Sequence, residues 1–108
     1  MDIARLLIPR NQIGDEGAMI LAPAIMRSKT LAVLDLTSNE LSAVGGKAII
    51  EALGYNESII DINFSSPEGL HRNTLGVNGV KPLEKILAYN KFITILNLSG
   101  NFIGNKGL

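Results

Sequence analysis

The feature that most constrains this chain is an internal repeat marked by asparagine. The motif Asn-x-(Ile/Leu)-(Gly/Ser)-x-x-Gly begins at Asn11, Asn39, Asn73 and Asn101, so the spacings between successive asparagines are 28, 34 and 28 residues. Self-similarity at such a period is typical of proteins built from stacked supersecondary units. We therefore expect a row of similar units that share one elongated core.

The apolar residues before each asparagine also align from unit to unit. The aligned sets are Ile3, Leu6 and Ile8; Leu31, Leu34 and Leu36; Ile59, Ile62 and Phe64; and Ile93, Leu96 and Leu98. The third unit is six residues longer than the others. Because the spacing up to Phe64 is unchanged, the insertion lies within residues 65–72.

The whole pattern, L-x-x-L-x-L-x-x-N-x-I/L-G-x-x-G followed by an apolar helix, resembles ribonuclease-inhibitor-like leucine-rich repeats. That family includes ribonuclease inhibitor, Ran GTPase-activating proteins and the sensor regions of nucleotide-binding innate immune receptors. The resemblance covers essentially the whole chain. It implies an α/β fold: a right-handed strand–helix solenoid, or leucine-rich-repeat horseshoe segment, with a parallel sheet on the concave face. One domain, 1–108, would contain units 3–30, 31–58, 59–92 and a truncated unit 93–108.

Spacing predicts the elements of each unit. Leu34 and Leu36 lie two residues apart and therefore point to the same side of a strand, while Asp35 points to the other. Strands are expected near 5–8, 33–36, 61–64 and 95–98, and helices near 16–28, 44–55 and 79–90. The expected apolar helix stripes are Gly17, Ile20, Leu21, Ala24 and Ile25; Gly45, Ala48, Ile49, Ala52 and Leu53; and Gly79, Leu83, Ile86 and Leu87. Stacking of neighbouring units would bury these stripes.

Three prolines test this assignment. Pro23 falls inside the first predicted helix, where proline costs roughly 3 kcal/mol, so we expect a kink or weakening there. Pro82 falls in the first turn of the third helix, where a missing N–H donor is harmless. Pro9 ends the first strand, which suits an edge strand.

Composition excludes several classes of function. Ten Lys and Arg balance ten Asp and Glu, so we expect neither nucleic acid nor an anionic membrane as a partner. The chain has no cysteine, which excludes disulfides and thiolate metal sites. The apolar run Leu6-Leu7-Ile8 is too short for a signal peptide or a membrane span. A soluble, cytoplasmic protein is the expectation.

Neither the asparagines nor the glycines indicate an active site. An asparagine side chain satisfies donors and acceptors of adjacent turns, so Asn11, Asn39, Asn73 and Asn101 are predicted to be structural turn residues. The Gly-x-x-Gly turns lack the Lys-Ser/Thr of a phosphate-binding loop. His71, the sole histidine, has no second ligand at a metal spacing. We predict no enzymatic activity, no catalytic residues, no cofactor and no metal.

The predicted function is a protein–protein interaction scaffold that binds another protein through its concave strand face. The side chains that point away from the core form columns across the units. These partner-binding candidates are Arg5, Leu7, Val33, Asp35, Thr37, Asp61, Asn63, Ser65, Ile95, Asn97 and Ser99. The inserted loop 65–72 is a second candidate contact through Glu68, His71 and Arg72, because loops on rigid scaffolds often carry function.

Two alternatives to this function stay open. One is regulation of an enzyme, as a small-GTPase activator or a nuclease inhibitor; the other is a structural role in a cytoskeletal or ciliary assembly. Neither end of the chain has the pattern of a capping unit. We therefore expect a segment of a longer repeat protein, or self-association and completion by a neighbouring chain through the uncapped ends.

Overall fold

Four short parallel strands form one side of the chain in a computed structural model, which describes residues 4–66 and 72–101. They are β1 (Ala4–Leu7), β2 (Leu31–Asp35), β3 (Asp61–Asn63) and β4 (Ile95–Asn97), and they pair in the order β1-β2-β3-β4. Leu34 pairs with Leu6 and Ile62, and Ile62 pairs with Leu96, so the register follows the repeat. The predicted strand positions are confirmed, and β1, which Pro9 follows, is an edge strand.

The core lies between this sheet and a layer of helices. Leu34 and Leu36 are fully buried, as are Ile62 and Phe64 at the equivalent positions of the next unit. Val33, Asp35, Asp61 and Asn63, which alternate with them, remain partly accessible on the opposite face. The two-residue period of the strands therefore separates core from surface as predicted.

The helices are α1 (Gly14–Arg27), α2 (Ala43–Leu53), α3 (Gly76–Val80) and α4 (Leu83–Tyr89). The first two match their predicted windows, but the predicted third helix is two helices. Pro82 lies between them, immediately before α4, and not inside the first turn of one helix. Because proline has no N–H, it cannot continue the hydrogen-bond ladder of α3 into α4.

Pro23 has a smaller effect than we expected. It lies inside α1, which continues without interruption to Arg27. Its side chain is exposed, so the ring has room on the outer surface of the helix. The local effect is the loss of one intrahelical donor, and the helix does not end there.

The buried stripe of α1 is rotated relative to the prediction. Ile20 is 79% exposed and Ala24 is exposed, whereas Ala18 and Ala22 are buried beside Ile25. In α2 the stripe is wider and includes all but Ala48 of the residues predicted for it, together with two that were not, Gly46 and Ile50. Leu87 of α4, which was predicted to be buried, is exposed, and the unpredicted Val80 of α3 is buried. Helix α2 contacts helices of both neighbouring units, while α1 packs on α2 alone among the described helices.

None of the helices in residues 4–66 and 72–101 is long and apolar enough to cross a membrane.

The turn asparagines form a ladder that joins successive units. Asn73 is fully buried, and its Oδ1 accepts hydrogen bonds from the backbone N–H groups of Asn39 (2.8 Å) and Leu41 (3.0 Å). Its Nδ2 donates to the carbonyls of Leu36 (2.8 Å) and Phe64 (3.0 Å). One side chain thus forms hydrogen bonds with four backbone groups from two units.

The other asparagines of the ladder form hydrogen bonds of the same kind with the backbone of an adjacent turn. Asn39 accepts from the N–H of Asn11 at 3.0 Å, and Asn101 accepts from that of Leu75 at 3.2 Å. Asn11 is exposed, and its Nδ2 donates to the carbonyl of Pro9. The position is therefore structural in each unit, but its burial depends on the adjacent turn.

Candidate protein-binding surface

The predicted concave positions form one continuous face of the sheet, here called the open sheet face. It consists of Arg5, Leu7, Val33, Asp35, Thr37, Asp61, Asn63, Ser65, Ile95, Asn97 and Ser99. The register places Arg5, Val33, Asp61 and Ile95 in one column across the four strands. The predicted columns are therefore correct as geometry, and no helix of the described chain lies on this side.

The middle column is Leu7, Asp35, Asn63 and Asn97, and its polar members are tied to the backbone. Asp35 Oδ1 accepts from the Thr37 N–H at 2.9 Å and from the Thr37 hydroxyl at 2.6 Å. Asn63 accepts in the same way from the N–H of the residue two positions further on, at 2.8 Å. Each such Asx turn orients the side chain and closes the end of its strand.

The turn after the fourth strand repeats this arrangement with more exposed side chains. Asn97 Oδ1 accepts from the N–H of Ser99 at 3.0 Å and from its hydroxyl at 2.8 Å, and both residues are exposed. The Thr37 and Ser65 hydroxyls of the neighbouring units lie 3.4 Å apart. The rim of the open sheet face is therefore a short row of hydroxyls above a row of acid and amide side chains.

The chemistry of the open sheet face changes from its ends to its centre. Leu7 on β1 is 50% exposed and Ile95 on β4 is 56% exposed. Between them lie two carboxylates, Asp35 and Asp61, and the one cation among these positions is Arg5. A polar, mildly acidic centre is thus flanked by aliphatic side chains that water does not solvate well.

The base of the inserted loop is held by the turn after β4. The N–H of Ser66 donates to the carbonyl of Ser99 at 2.8 Å, and Arg72 Nη2 donates to that of Gly100 at 3.4 Å. Gly100 has a positive φ of 75°, and a side chain there would collide with the Ser66 carbonyl. The predicted contacts Glu68 and His71 lie outside the described residues.

The turn glycines have steric roles. Gly14 and Gly76 have positive φ values of 64°, a conformation that favours glycine. Gly45 lies so close to Asp15 and Ala18 of α1 that a Cβ would collide with them. Within residues 4–66 and 72–101, no group of three or more His, Cys, Asp or Glu side chains is arranged to hold a metal ion.

A further asparagine pair, which was not predicted, lies at the turns that lead from helix to strand. Asn56 is buried, and its Nδ2 donates to the carbonyl of Ile25 at 2.8 Å while its Oδ1 accepts from the N–H of Ile59 at 2.7 Å. Asn90 donates to the carbonyl of Leu53 at 3.2 Å in the same way. Their separation of 34 residues equals that of Asn39 and Asn73, and this was the signal available in the sequence.

A second missed residue, Asp15, caps the helix of the next unit. Its Oδ1 accepts from the N–H groups of Ser42 and Gly45, both at 2.9 Å, and its Oδ2 accepts from the Ser42 hydroxyl. Burial alone would raise the pKa of Asp15, but the hydrogen bonds from the Ser42 side chain and from the two N–H groups outweigh it and lower the pKa. A carboxylate at a helix N-terminus is also favoured by the helix dipole.

Comparison with known proteins gives one result at the level of family. A family model described as Leucine Rich repeat matches residues 9–22, 27–49 and 89–108, which is more than half of the chain. The unmatched residues 50–88 contain the insertion, α3 and nearly all of α4. The search of curated protein sequences returned no match.

Proposed function

Because this chain belongs to the leucine-rich-repeat family, whose repeats generally mediate protein–protein interaction and are not enzymes, we propose that it is a scaffold that binds a partner protein on the open sheet face. The observation that carries the proposal is the alignment of side chains in register across all four strands, on a side that no described helix covers. The same sheet that buries its core residues presents its alternate residues to the partner.

The open sheet face is preorganised for binding. The Asx turns hold Asp35, Asn63 and Asn97 in one orientation before a partner arrives. Rigid side chains lose little conformational entropy on binding, which improves affinity for a given contact area. We expect hydrogen-bond donors of the partner over Asp35 and Asp61, and apolar groups against Leu7 and Ile95.

The inserted loop would extend this surface beyond the last turn. Ser65 belongs to the open sheet face and Arg72 is anchored beside Gly100, so both ends of the insertion start at the rim of the face. We propose that residues 65–72 form a secondary contact. Shortening this loop should weaken binding without abolishing it, because the strand columns would remain in place.

A pull-down with matched variants tests the proposal. The immobilised chain is exposed to extract of its source cells, and retained proteins are identified by mass spectrometry. The variant Leu7→Asp with Ile95→Asp should lose the specific partner, whereas Met19→Asp, an exposed change on α1, should retain it. Retention by the double variant would refute binding on the open sheet face. An enzyme among the partners would indicate a regulator, and a filament or ciliary protein would indicate a structural component.

The charge of the face is tested separately with Asp35→Asn. Asparagine keeps the acceptor of the Asx turn, as Asn63 and Asn97 show in the other units, so the fold should be unaffected. Loss of the carboxylate should lower affinity and reduce its dependence on salt. Unchanged affinity and salt dependence would show that Asp35 makes no ionic contact with the partner.

We also propose that the protein acts in the cytoplasm. Support comes from the absence of cysteine and from the balanced charge of the sequence. Fluorescence microscopy of a C-terminal fluorescent fusion in the source cell tests this location, and a signal confined to a membrane or an organelle would contradict it.

A further inference from the structure

The helix side of the molecule carries a groove that the proposed function does not use. It lies between α2 and α4, has a volume of about 540 Å³, and is called the outer groove here. Its lining includes Gly54 and Ile86, which approach closely because glycine has no side chain: a Cβ on Gly54 would lie 3.2 Å from Ile86 Cγ1. The groove has the size of a site that receives side chains of a ligand.

Two tyrosines line the outer groove. Tyr55 is 72% exposed and Tyr89 is 78% exposed, and they occupy equivalent positions in successive units. Exposed tyrosines at neighbouring positions offer large, rigid apolar surfaces with a polar tip, which is the chemistry enriched at protein interfaces. The equivalent residue in the first unit is Arg27, so a tyrosine at this position is not a general feature of the repeat.

The charges around the tyrosines are mainly positive. Lys47 and Lys85 line the outer groove together with one acid, Glu51. A second depression of about 530 Å³ shares Tyr55 and continues the surface towards the end of α1. Arg27 and Lys29 line it with one acid, Glu57. Four cations thus face two carboxylates, although the chain as a whole has no net charge.

We propose that the outer groove binds an extended, acidic peptide segment of a partner protein, with apolar or proline side chains against Tyr55 and Tyr89 and carboxylates near the cations. Such a segment complements the surface in both charge and shape. Aromatic-lined grooves bind extended, proline-containing segments because little conformational entropy is lost. This second surface is opposite in charge to the open sheet face and on the other side of the core.

The test is a fluorescence anisotropy titration of the full chain. The probe is a short fluorescein-labelled peptide of alternating acidic, leucine and proline residues. The comparison probes are the same peptide with lysine replacing each acid, and fluorescein-labelled oligothymidine. The acidic peptide should bind, and more weakly as salt is added; tighter binding of the lysine peptide or of oligothymidine would overturn the proposal.

Variants then locate the binding. Tyr55→Ala with Tyr89→Ala should weaken binding at least about tenfold, while the two Tyr→Phe changes should preserve it, since the rings supply the contact. Lys85→Glu should weaken binding by about threefold or more, and Lys91→Glu, the same charge change on an exposed residue outside the groove, should not. Equal effects of the two charge changes would overturn the site.

Two controls test whether the variants fold and whether binding on the open sheet face is preserved. The substituted side chains, Tyr55, Lys85, Tyr89 and Lys91, are all exposed, so circular dichroism and urea unfolding of each variant should match the original chain. A variant with a shifted unfolding midpoint is replaced by the Tyr→Ser change at the same position. Capture of the partner on the open sheet face should be unaffected by the tyrosine changes, which separates failure of one surface from failure of the other.

Discussion

The sheet side and the helix side of this solenoid follow the same repeat but tolerate different amounts of variation. On the sheet side, strand register, the Asn39–Asn73–Asn101 ladder and the Asx turns recur from unit to unit. On the helix side, α1 has 14 residues, α2 has 11, and the third unit is divided into helices of 5 and 7. The Asp15 cap joins α1 to α2, and α3 has no side-chain cap.

The difference has a physical cause. Neighbouring strands are joined directly through backbone hydrogen bonds at about 4.8 Å, so a change in one unit displaces the next. Neighbouring helices meet through side chains at about 8–10 Å, and these can be exchanged without moving the backbone. Differences in helix length and in exposed side chains between units therefore accumulate on the helix side. The outer groove is one result of these differences. Three predictions test this contrast.

Removing a ladder asparagine should have the largest effect. Asn73→Ala leaves three buried backbone groups without this partner, the N–H groups of Asn39 and Leu41 and the carbonyl of Leu36, whereas the Phe64 carbonyl keeps Asn101 Nδ2. At about 1–3 kcal/mol for each group that water cannot reach, we expect a loss of roughly 3 kcal/mol or more in the free energy of unfolding, up to loss of the folded state. Asn11→Ala, at the exposed end of the ladder, should cost within about 0.5 kcal/mol. Urea unfolding followed by circular dichroism measures both, and similar costs would contradict the ladder.

Proline exchange between equivalent helix positions should have the next largest effect. Pro23→Ala restores a donor inside α1 and should raise the free energy of unfolding by about 1–3 kcal/mol. The reciprocal change Glu51→Pro, at the exposed equivalent position of α2, should lower it by about 3 kcal/mol. Thermal unfolding of both variants gives the sign of each change. A destabilised Pro23→Ala would show that the proline stabilises the outer surface in a way that its geometry does not reveal.

The carboxylate cap should have the smallest effect and a defined pH dependence. Asp15→Ala should cost about 1 kcal/mol near neutral pH, typical of a lost N-terminal cap. Since the folded-state pKa of Asp15 is below its ordinary value of 3.8, its contribution is fully present above 3.8 and is lost as the pH falls through the folded-state pKa. The difference between the two chains should therefore be constant down to about pH 5 and shrink below 3.8. Glu16→Gln, an exposed neighbouring change, should show no such difference.

The strand side could be predicted from the sequence almost residue by residue. Alternation in Leu34-Asp35-Leu36 assigns each side chain to a face, because the period of a strand is a property of its backbone. Ile62 and Leu96 hold the same position within their aligned apolar sets, and this sets the register between units. The columns of the open sheet face, including Asp35 and Asn97, follow from the same two observations. Whether a partner uses these columns stays a prediction.

The helix side could be predicted only in outline. The sequence determined that helices follow the turns at Asn11, Asn39 and Asn73 and roughly where they begin, but not which arc each one buries. Ile20 and Ala24 have helical spacing and are nevertheless exposed, while the equivalent Ala52 of α2 is buried. The buried arc of a helix depends on how many neighbours pack against it, and α2 contacts helices on both sides whereas α1 contacts one. Tertiary structure likewise decided that Asp15 caps another unit and that Tyr55 and Tyr89 share a groove. These contacts join residues of different units through side chains, and a one-dimensional period records the spacing of the units but not the distance between their surfaces.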